Sequence, residues 1–393
     1  MLGSTIVEYL VRERRTLSEE PFNLVDGLVM ATLSYLKFES CEMLKVTSPD
    51  TVTLREVITG AAREDLLRQG WMTHSAYTDS FLAEVVDSPR YRDIEVCLYA
   101  DEHVDNAEKQ FSAVTFLPGD GRAYLVFRGT DGTMVGWKEN FNIVFREFTP
   151  AQLTAVSYAS GVASAFDERL VLIGHSKGGS HAQYAALCVP EKVFDRVDMT
   201  INFDGPSFLG DPSPRVDDPR YVENFHKIVP EGSLFGLLLE QGDNYRVIMA
   251  NPAAGRQHEP FSWIIEGSDF HYVKDLRKRA KFIGSTLNAW LKLRTIEERE
   301  MFIDNIYDLL KTTDAQTIFD LRERLASNLI IVATAARELD PETREFFSAT
   351  MKELGVAVRQ ERHRTRQERK RERAEKRKYV RIDGPSGEGK QAE

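Results

Sequence analysis

Residues 170–190 restrict the possible folds of this chain more than any other stretch. Residues 170–173 (Leu-Val-Leu-Ile) are an aliphatic run typical of a strand buried on both faces of a parallel sheet. Residues 174–178 (Gly-His-Ser-Lys-Gly) form a G-x-S-x-G motif, and the alanine-rich segment after them favours a helix. A strand, a tight turn and a helix in this order predict a nucleophile elbow with Ser176 at its apex.

The two glycines of this motif have a physical reason. At such a turn the strand and the helix nearly touch, so a side chain at position 174 or 178 would clash. The helix also presents its free N–H groups and the positive end of its dipole to the turn, where they would stabilise a negatively charged oxygen. The stretch therefore predicts a nucleophilic serine at position 176.

The length and composition fit one large α/β domain with an appendage, or two domains. The 393 residues are 42% hydrophobic, which suffices for a sizeable core and argues against wholesale disorder. Cys41, Cys97 and Cys188 are widely spaced and odd in number, which argues against a disulfide framework and a zinc site. We therefore expect a cytoplasmic chain that uses neither a metal nor a cofactor.

Signals for secretion or membrane insertion are not evident in the sequence. The first residues lack a basic segment followed by a long apolar run. No apolar run approaches the roughly 18 residues that cross a bilayer. The longest, Leu329 to Ala336, is predicted to be a buried helix segment.

Strands and helices alternate along the first two thirds of the chain. Helical patterns occupy residues 1–45, 54–69 and 150–166. Strand patterns occupy residues 94–100, 111–116, 123–127, 170–173, 199–203, 225–229 and 245–250. This alternation predicts an α/β fold with a mostly parallel central sheet and helices on both faces, over residues 1–272.

The remainder is predicted to be helical and then highly charged. The helical pattern of residues 273–358 predicts a C-terminal extension, either a cap over the site or an oligomerisation surface. Residues 359–393 form a tail, in which residues 359–381 carry twelve Lys or Arg and four Glu, a charge of +8. The first 358 residues carry −16, so an acidic body bears a basic tail.

The basic tail has the charge to bind nucleic acid or an anionic membrane surface. Its glutamates, however, lie at i,i+3 or i,i+4 distance from basic residues, which favours a solvated helix. Tyr379 is its one aromatic residue, so base stacking has little support. We expect an exposed helix or disordered arm, with contact to anionic surfaces as the alternative.

A serine hydroxyl needs a base, which in α/β-hydrolases is a histidine that follows the serine and the acid along the chain. Three later histidines are excluded by the elements in which they are predicted to lie: His181, His226 and His363. His258 and His271 remain. We favour His258 because it follows the last strand, at the carboxyl edge of the sheet where Ser176 must lie. His271 falls where a helix begins.

Three carboxylates could orient this histidine. Asp204 ends the strand after the elbow strand, although Asp-Gly-Pro at this point is also strong turn chemistry by itself. Glu231 follows the next strand, and Asp243 lies in the loop before the last. We favour Asp204, and the other two remain open.

Two backbone N–H groups are predicted to form the oxyanion hole. One belongs to Lys177, directly after the nucleophile, and the other to the loop that follows the strand at 123–127. Thr130 is the favoured donor in that loop, with its hydroxyl as reinforcement. Arg128 is interpreted as a structural anchor paired with a carboxylate.

These segments resemble the class 3 lipase branch of the α/β-hydrolases in order and spacing. The shared motifs are Phe-Arg-Gly-Thr at 127–130, the turn at 174–178, Phe-Asp-Gly-Pro at 203–206 and Ile-Val-Pro at 228–230. Over roughly residues 5–320 the chain is more closely similar to a bacterial family of lipase-like proteins with no assigned function. Its further motifs are Pro-Phe-Asn-Leu-Val-Asp at 21–26, Leu-Ser-Tyr-Leu at 33–36, Trp-Lys-Glu-Asn-Phe at 137–141, Val-Pro-Glu-Gly-Ser at 229–233, and Gln257-His258 ahead of Trp263.

The resemblance implies a serine hydrolase that cleaves a carboxylic ester of a small molecule or lipid. Ser176 would be the nucleophile, His258 the base, and Thr130 with Lys177 the oxyanion hole. Class 3 lipases carry an aspartate two residues before the Val-Pro pair, where this chain has Lys227. The acid has therefore moved, or the triad is incomplete. In the second case the chain is a catalytically weak or inactive scaffold that binds partners through its acidic body and basic tail.

Overall fold

The computed structural model describes residues 4–40, 50–68, 70–240, 242, 244–251 and 257–313, with isolated residues between 341 and 359. The strands within these ranges are β1 Val52–Thr53, β2 Glu95–Val104, β3 Lys109–Leu117, β4 Arg122–Phe127, β5 Arg169–His175, β6 Val197–Phe203, β7 Phe225–Pro230, β8 Arg246–Ile248, β9 Ile265–Glu266 and β10 Asp269–Phe270. The α-helices are α1 Ile6–Arg12, α2 Leu24–Leu33, α3 Leu54–Gly60, α4 Arg63–Leu66, α5 Thr78–Asp87, α6 Met134–Asn142, α7 Pro150–Ala165, α8 Lys177–Cys188, α9 Glu191–Phe194, α10 Pro219–Asn224, α11 Lys278–Lys292 and α12 Ile296–Lys311.

Strands β1 to β8 form one sheet in which they lie in chain order. The first four pair antiparallel, whereas β4 to β8 pair parallel. Their registers bring Phe127 beside Gly174 and His175 beside Phe203. The carboxyl ends of β4, β5 and β6 therefore meet at one edge. This confirms a mostly parallel sheet.

The strand order decides which helices cover which face. Parallel connections are right-handed, so connections that all advance in one direction place their helices on the same side. Accordingly, Leu170 and Leu172 of β5 pack in a core with the alanines of α7 and α8. Val171 and Ile173 point to the opposite face, and they pack in a second core with α2. The helices that cover this opposite face must therefore come from the chain before β4.

A fully buried ion pair joins α2 to the segment between α5 and β2. The Asp26 carboxylate of α2 accepts hydrogen bonds from Arg90 Nε at 2.8 Å and Nη2 at 2.5 Å, and from the hydroxyls of Tyr9 and Tyr91. Both charged side chains are completely buried. Arg90 also donates to the carbonyl oxygens of Arg15, Thr16, Glu20 and Pro21. The pair thus holds both α2 and the segment that precedes it.

Some sequence expectations need correction. Strand β2 extends to Val104 and β3 begins at Lys109, so both are longer than the patterns at 94–100 and 111–116 predict, because a connection of four residues suffices between them. The helix expected at 54–69 ends at Gly60, and α4 follows separately. Helix α5 was not predicted. Residues 134–142, for which no element was predicted, form α6.

Helices α11 and α12 pack against the domain. Arg299 of α12 donates to the carbonyl oxygen of Val144 at 2.8 Å, and Trp290 of α11 packs with Phe302 and Phe145 in a small core. They agree with a helical pattern after residue 273. The predicted helix segment at 329–336 and most of the charged tail lie outside the described residues. The boundaries at 273 and 359 remain predictions.

We expect Asp26→Ala to lower the free energy of unfolding by about 3–5 kcal/mol, because it leaves the Arg90 guanidinium buried without its partner. Urea denaturation followed by circular dichroism measures the change. Asp79→Ala is the matched control, since Asp79 pairs with Arg63 on the surface and should change stability by less than about 1 kcal/mol. Equal effects of the two substitutions would contradict this role of the buried pair.

Candidate active site

Ser176 occupies a sharp turn between β5 and α8. Its backbone lies at φ 58° and ψ −133°, a conformation that L-residues rarely adopt outside strained functional turns. The turn is held on both sides: the Ser176 N–H donates to the Phe203 carbonyl at 2.8 Å, and the Gly179 N–H donates to the Ser176 carbonyl at 2.9 Å. The serine is thus fixed at the carboxyl edge of the parallel strands.

The glycines around the turn permit a backbone approach that side chains would prevent. A Cβ at Gly174 would lie 2.0 Å from the carbonyl oxygen of Gly178, and one at Gly178 would lie 2.0 Å from that of Phe127. Strand, elbow and helix in this packing, on a mostly parallel sheet, form the α/β-hydrolase fold. The predicted fold class is confirmed.

The structure brings His258 and Asp204 to this edge. His258 Nδ1 lies 2.6 Å from Asp204 Oδ2, and the Asp204 side chain is completely buried whereas that of His258 is 28% exposed. The His258 ring is 4.6 Å from the ring of His175, the residue before the serine. Because Nδ1 is bound to Asp204, His258 Nε2 is the ring nitrogen that could exchange a proton with substrate or serine.

Asp204 is held at the end of β6 by two further hydrogen bonds. Its backbone has a positive φ of 53°, and its N–H donates to the Ile228 carbonyl at 2.9 Å. The Ser233 hydroxyl donates to Oδ1, the oxygen that His258 does not use. Both carboxylate oxygens therefore have partners, which compensates for the burial of the charge.

The alternative acids and base have other partners or lie elsewhere. Glu231 pairs with Arg277 at 2.5 Å, and His271 Nδ1 contacts Glu266 at 2.9 Å. Asp243 lies outside the described residues. Lys227, which stands where class 3 lipases carry their aspartate, pairs with Glu240 at 2.6 Å.

The loop after β4 packs directly against the serine. A Cβ at Gly129 would lie 3.0 Å from Ser176 Cβ and 2.6 Å from the His175 carbonyl oxygen, so a larger residue could not occupy this place. Thr130 Oγ1 is buried and has no hydrogen-bond partner among the described residues. Lys177 begins α8, where backbone N–H groups lack helical partners. Thr130 and Lys177 thus lie on the two segments that flank Ser176.

The side chains of Lys177 and Arg128 form ion pairs close to the site. Lys177 Nζ pairs with Glu139 at 2.7 Å and contacts Gln110, and the ion pair is completely buried. Arg128 pairs with Asp101 at 2.6 Å, which confirms the interpretation as an anchor. Burial acts to raise the pKa of Asp101, but the hydrogen bond from His103 and the charge of Arg128 outweigh it and hold this pKa well below its usual range.

Sequence reasoning missed His175 and Tyr35 as members of this site. His175 is buried, and it contacts the Tyr35 hydroxyl through Nδ1 at 2.9 Å and the His258 carbonyl through Nε2 at 2.8 Å. The sequence did offer one signal, the histidine inside the G-x-S-x-G motif. It was missed because only histidines after Ser176 were considered as partners of the serine.

The described residues include neither a metal-binding cluster nor a membrane-spanning helix. Among them, no group of three or more His, Cys, Asp or Glu side chains could hold a metal ion. None of the helices in these ranges combines the length and apolarity needed to cross a membrane.

Comparison with known proteins shows that the chain matches the model of one protein family. The model of the Mbeg1-like family matches residues 85–308, more than half of the chain, and this range includes Ser176, Asp204 and His258. No curated protein matches. Among solved structures, the crystal structure of M37 lipase is similar with a TM-score of 0.34 and 11% identity, over 69% of this chain and 80% of the lipase.

We expect Gly178→Ala to destabilise the protein strongly, because its Cβ would overlap the Phe127 carbonyl and force the elbow apart. Differential scanning calorimetry measures the change in Tm. Gly161→Ala in α7 is the matched control: no atom lies within 4 Å of the added Cβ, so helix propensity should stabilise it by up to about 1 kcal/mol. A Gly178→Ala protein as stable as the wild type would disprove the tight packing of the elbow.

Proposed function

The chain belongs to the Mbeg1-like family, and we propose that it is a serine hydrolase that cleaves carboxylic esters. One observation carries the proposal: the hydrogen bond of 2.6 Å between His258 and the buried Asp204, formed beside the strained turn of Ser176. A serine on an elbow, a histidine and a buried carboxylate are the groups that nucleophilic acyl transfer requires.

In this mechanism Ser176 Oγ attacks the acyl carbonyl carbon while His258 Nε2 accepts the serine proton. Asp204 keeps the imidazole in the tautomer with hydrogen on Nδ1 and stabilises the imidazolium that forms. The N–H groups of Thr130 and Lys177 would bind the resulting oxyanion. The imidazolium then protonates the leaving alkoxide, and water, activated by the same histidine, hydrolyses the acyl-enzyme.

An apolar surface beside the base supports an acyl substrate, either a small ester or a lipid. The ring of Phe235 lies 4.8 Å from the His258 ring, and that of Trp137 lies 6.4 Å from Phe235. Leu234, next to Phe235, is 43% exposed. Phe235 and Trp137 are half-buried, and partly accessible apolar side chains at a polar site favour a substrate with an apolar part.

A cytoplasmic location is part of the proposal. Its support is the cysteine usage of the chain, because Cys97 and Cys188 are both free in the structure and a secreted chain would tend to pair its cysteines. The basic tail at 359–381 is proposed as an exposed arm, with contact to an anionic surface as the alternative.

We expect Ser176→Ala to abolish labelling by a fluorophosphonate probe and to lower hydrolysis of p-nitrophenyl butyrate by several orders of magnitude, because it removes the oxygen that forms the acyl-enzyme. Ser164→Ala, an exposed serine on α7, is the control and should label like the wild type. Undiminished activity in Ser176→Ala would reject the mechanism. A wild-type protein that neither labels nor hydrolyses esters would favour the non-catalytic scaffold.

Phe235→Ala should lower kcat/KM for p-nitrophenyl octanoate roughly tenfold more than for the acetate, since burial of an acyl chain against this ring contributes on the order of 1–2 kcal/mol. A series of esters of increasing acyl length measures the ratio, which cancels any common effect on His258. Phe148→Ala, at an exposed phenylalanine of the same size, should leave the ratio unchanged. Equal losses on both esters would exclude Phe235 from the acyl site.

A further inference from the structure

His175 lies between the serine turn and the segment that carries His258. It is completely enclosed except for 2% of its surface, and both ring nitrogens have partners on opposite sides. Its Nε2 lies 2.8 Å from the backbone carbonyl oxygen of His258, and its Nδ1 lies 2.9 Å from the Tyr35 hydroxyl. The ring therefore bridges two segments that are distant along the chain.

These partners assign the tautomer of His175. A carbonyl oxygen can only accept, so Nε2 must carry the hydrogen. Burial, together with the charge that His258 acquires when protonated, holds the pKa of His175 well below its usual value, so the imidazole is neutral. Nδ1 is then an acceptor, and the Tyr35 hydroxyl donates to it. One tautomer thus satisfies every contact.

We propose that His175 is a positioning residue for His258, which it holds through the backbone carbonyl and supports with its ring; this inference rests on the proposed hydrolase function. Two ring N–H groups hold consecutive carbonyls there, because Trp263 Nε1 donates to the Gln257 carbonyl at 2.8 Å. With both carbonyls fixed and Nδ1 bound to Asp204, the imidazole has one orientation.

Tyr35, the second partner of His175, also contacts the loop that follows β4. A Cβ at Gly129 would lie 2.2 Å from the Tyr35 hydroxyl oxygen, so this hydroxyl fills the space beside the loop that bears Thr130. Tyr35 therefore touches the oxyanion loop and orients His175, which in turn holds His258. A misplacement of about 1 Å in a reacting group can cost a hundredfold in rate, so a rigid connection between base and oxyanion hole has a catalytic consequence.

The test compares two substitutions at position 175. His175→Gln keeps an N–H donor and a carbonyl acceptor, whereas His175→Phe keeps a ring without a donor. We expect His175→Phe to lower kcat roughly 10- to 100-fold with little change in KM, and His175→Gln to recover most of the loss. His181→Phe is the control, because His181 is buried in α8 without a hydrogen bond from either ring nitrogen among the described residues.

A measurement independent of activity separates this inference from the proposed function. In ¹⁵N-histidine NMR, the Nδ1–H proton of His258 bonded to Asp204 should give a downfield signal, identified by its loss in Asp204→Asn. We expect the signal to persist in His175→Gln and to broaden or disappear in His175→Phe. If His175→Phe fails to fold, Tyr35→Phe, which removes the hydroxyl donor alone, should weaken the same signal and lower kcat several-fold.

Equal behaviour of the Phe and Gln variants in both rate and NMR signal would overturn the inference, as would an unchanged signal and rate in Tyr35→Phe. A wild-type protein without esterase activity whose His258 signal still depends on the donor at position 175 would reject the hydrolase and retain the positioning contact. A signal that is insensitive to position 175 in an active enzyme would do the reverse.

Discussion

The close approach of backbone to backbone around Ser176 is the constraint on which the rest of the structure depends. The end of β4, the elbow and the start of α8 pack so tightly that a Cβ at Gly174 or Gly178 would lie 2.0 Å from a carbonyl oxygen. Gly205, after Asp204, is under the same restriction, since its Cβ would lie 2.3 Å from the Ser176 carbonyl oxygen. The turn with the serine and the turn with the acid are thus packed against each other, so one cannot move without the other.

The two faces of β5 explain why the chain needs its N-terminal helices. A parallel strand flanked by neighbours must be covered on both sides, but right-handed connections between consecutive strands cover only one. Helix α2 covers the other, and it ends just before Tyr35, whose hydroxyl reaches His175. The helix that completes the core therefore also delivers a side chain to the site. Packing and site geometry therefore share the segment 24–35.

The sequence predicted the parts of the site that local pattern encodes. A strand, two glycines and an alanine-rich helix require the turn at Ser176, and strand ends explain why Asp204 and His258 were preferred. Partners that depend on the relative position of distant segments could not be derived. Tyr35 and His175 are 140 residues apart, and nothing in either local pattern indicates their contact. Helix α5 is a different failure, because its buried residues do recur at helical spacing and the pattern was available.

Lys227 stands where class 3 lipases carry an aspartate, yet His258 still has a carboxylate partner in Asp204. Asn202 of β6 lies beside Lys227 of β7, and Asp204 follows directly after the last residue of β6, where it contacts His258. Lys227 Nζ is bound by Glu240 at 2.6 Å and by the Ser207 hydroxyl at 2.8 Å. Its charge is thus neutralised locally and does not compete with His258 for Asp204. Asp204 follows the strand adjacent to β5 and contacts His258 Nδ1 at 2.6 Å, so the departure at position 227 is compatible with a complete triad.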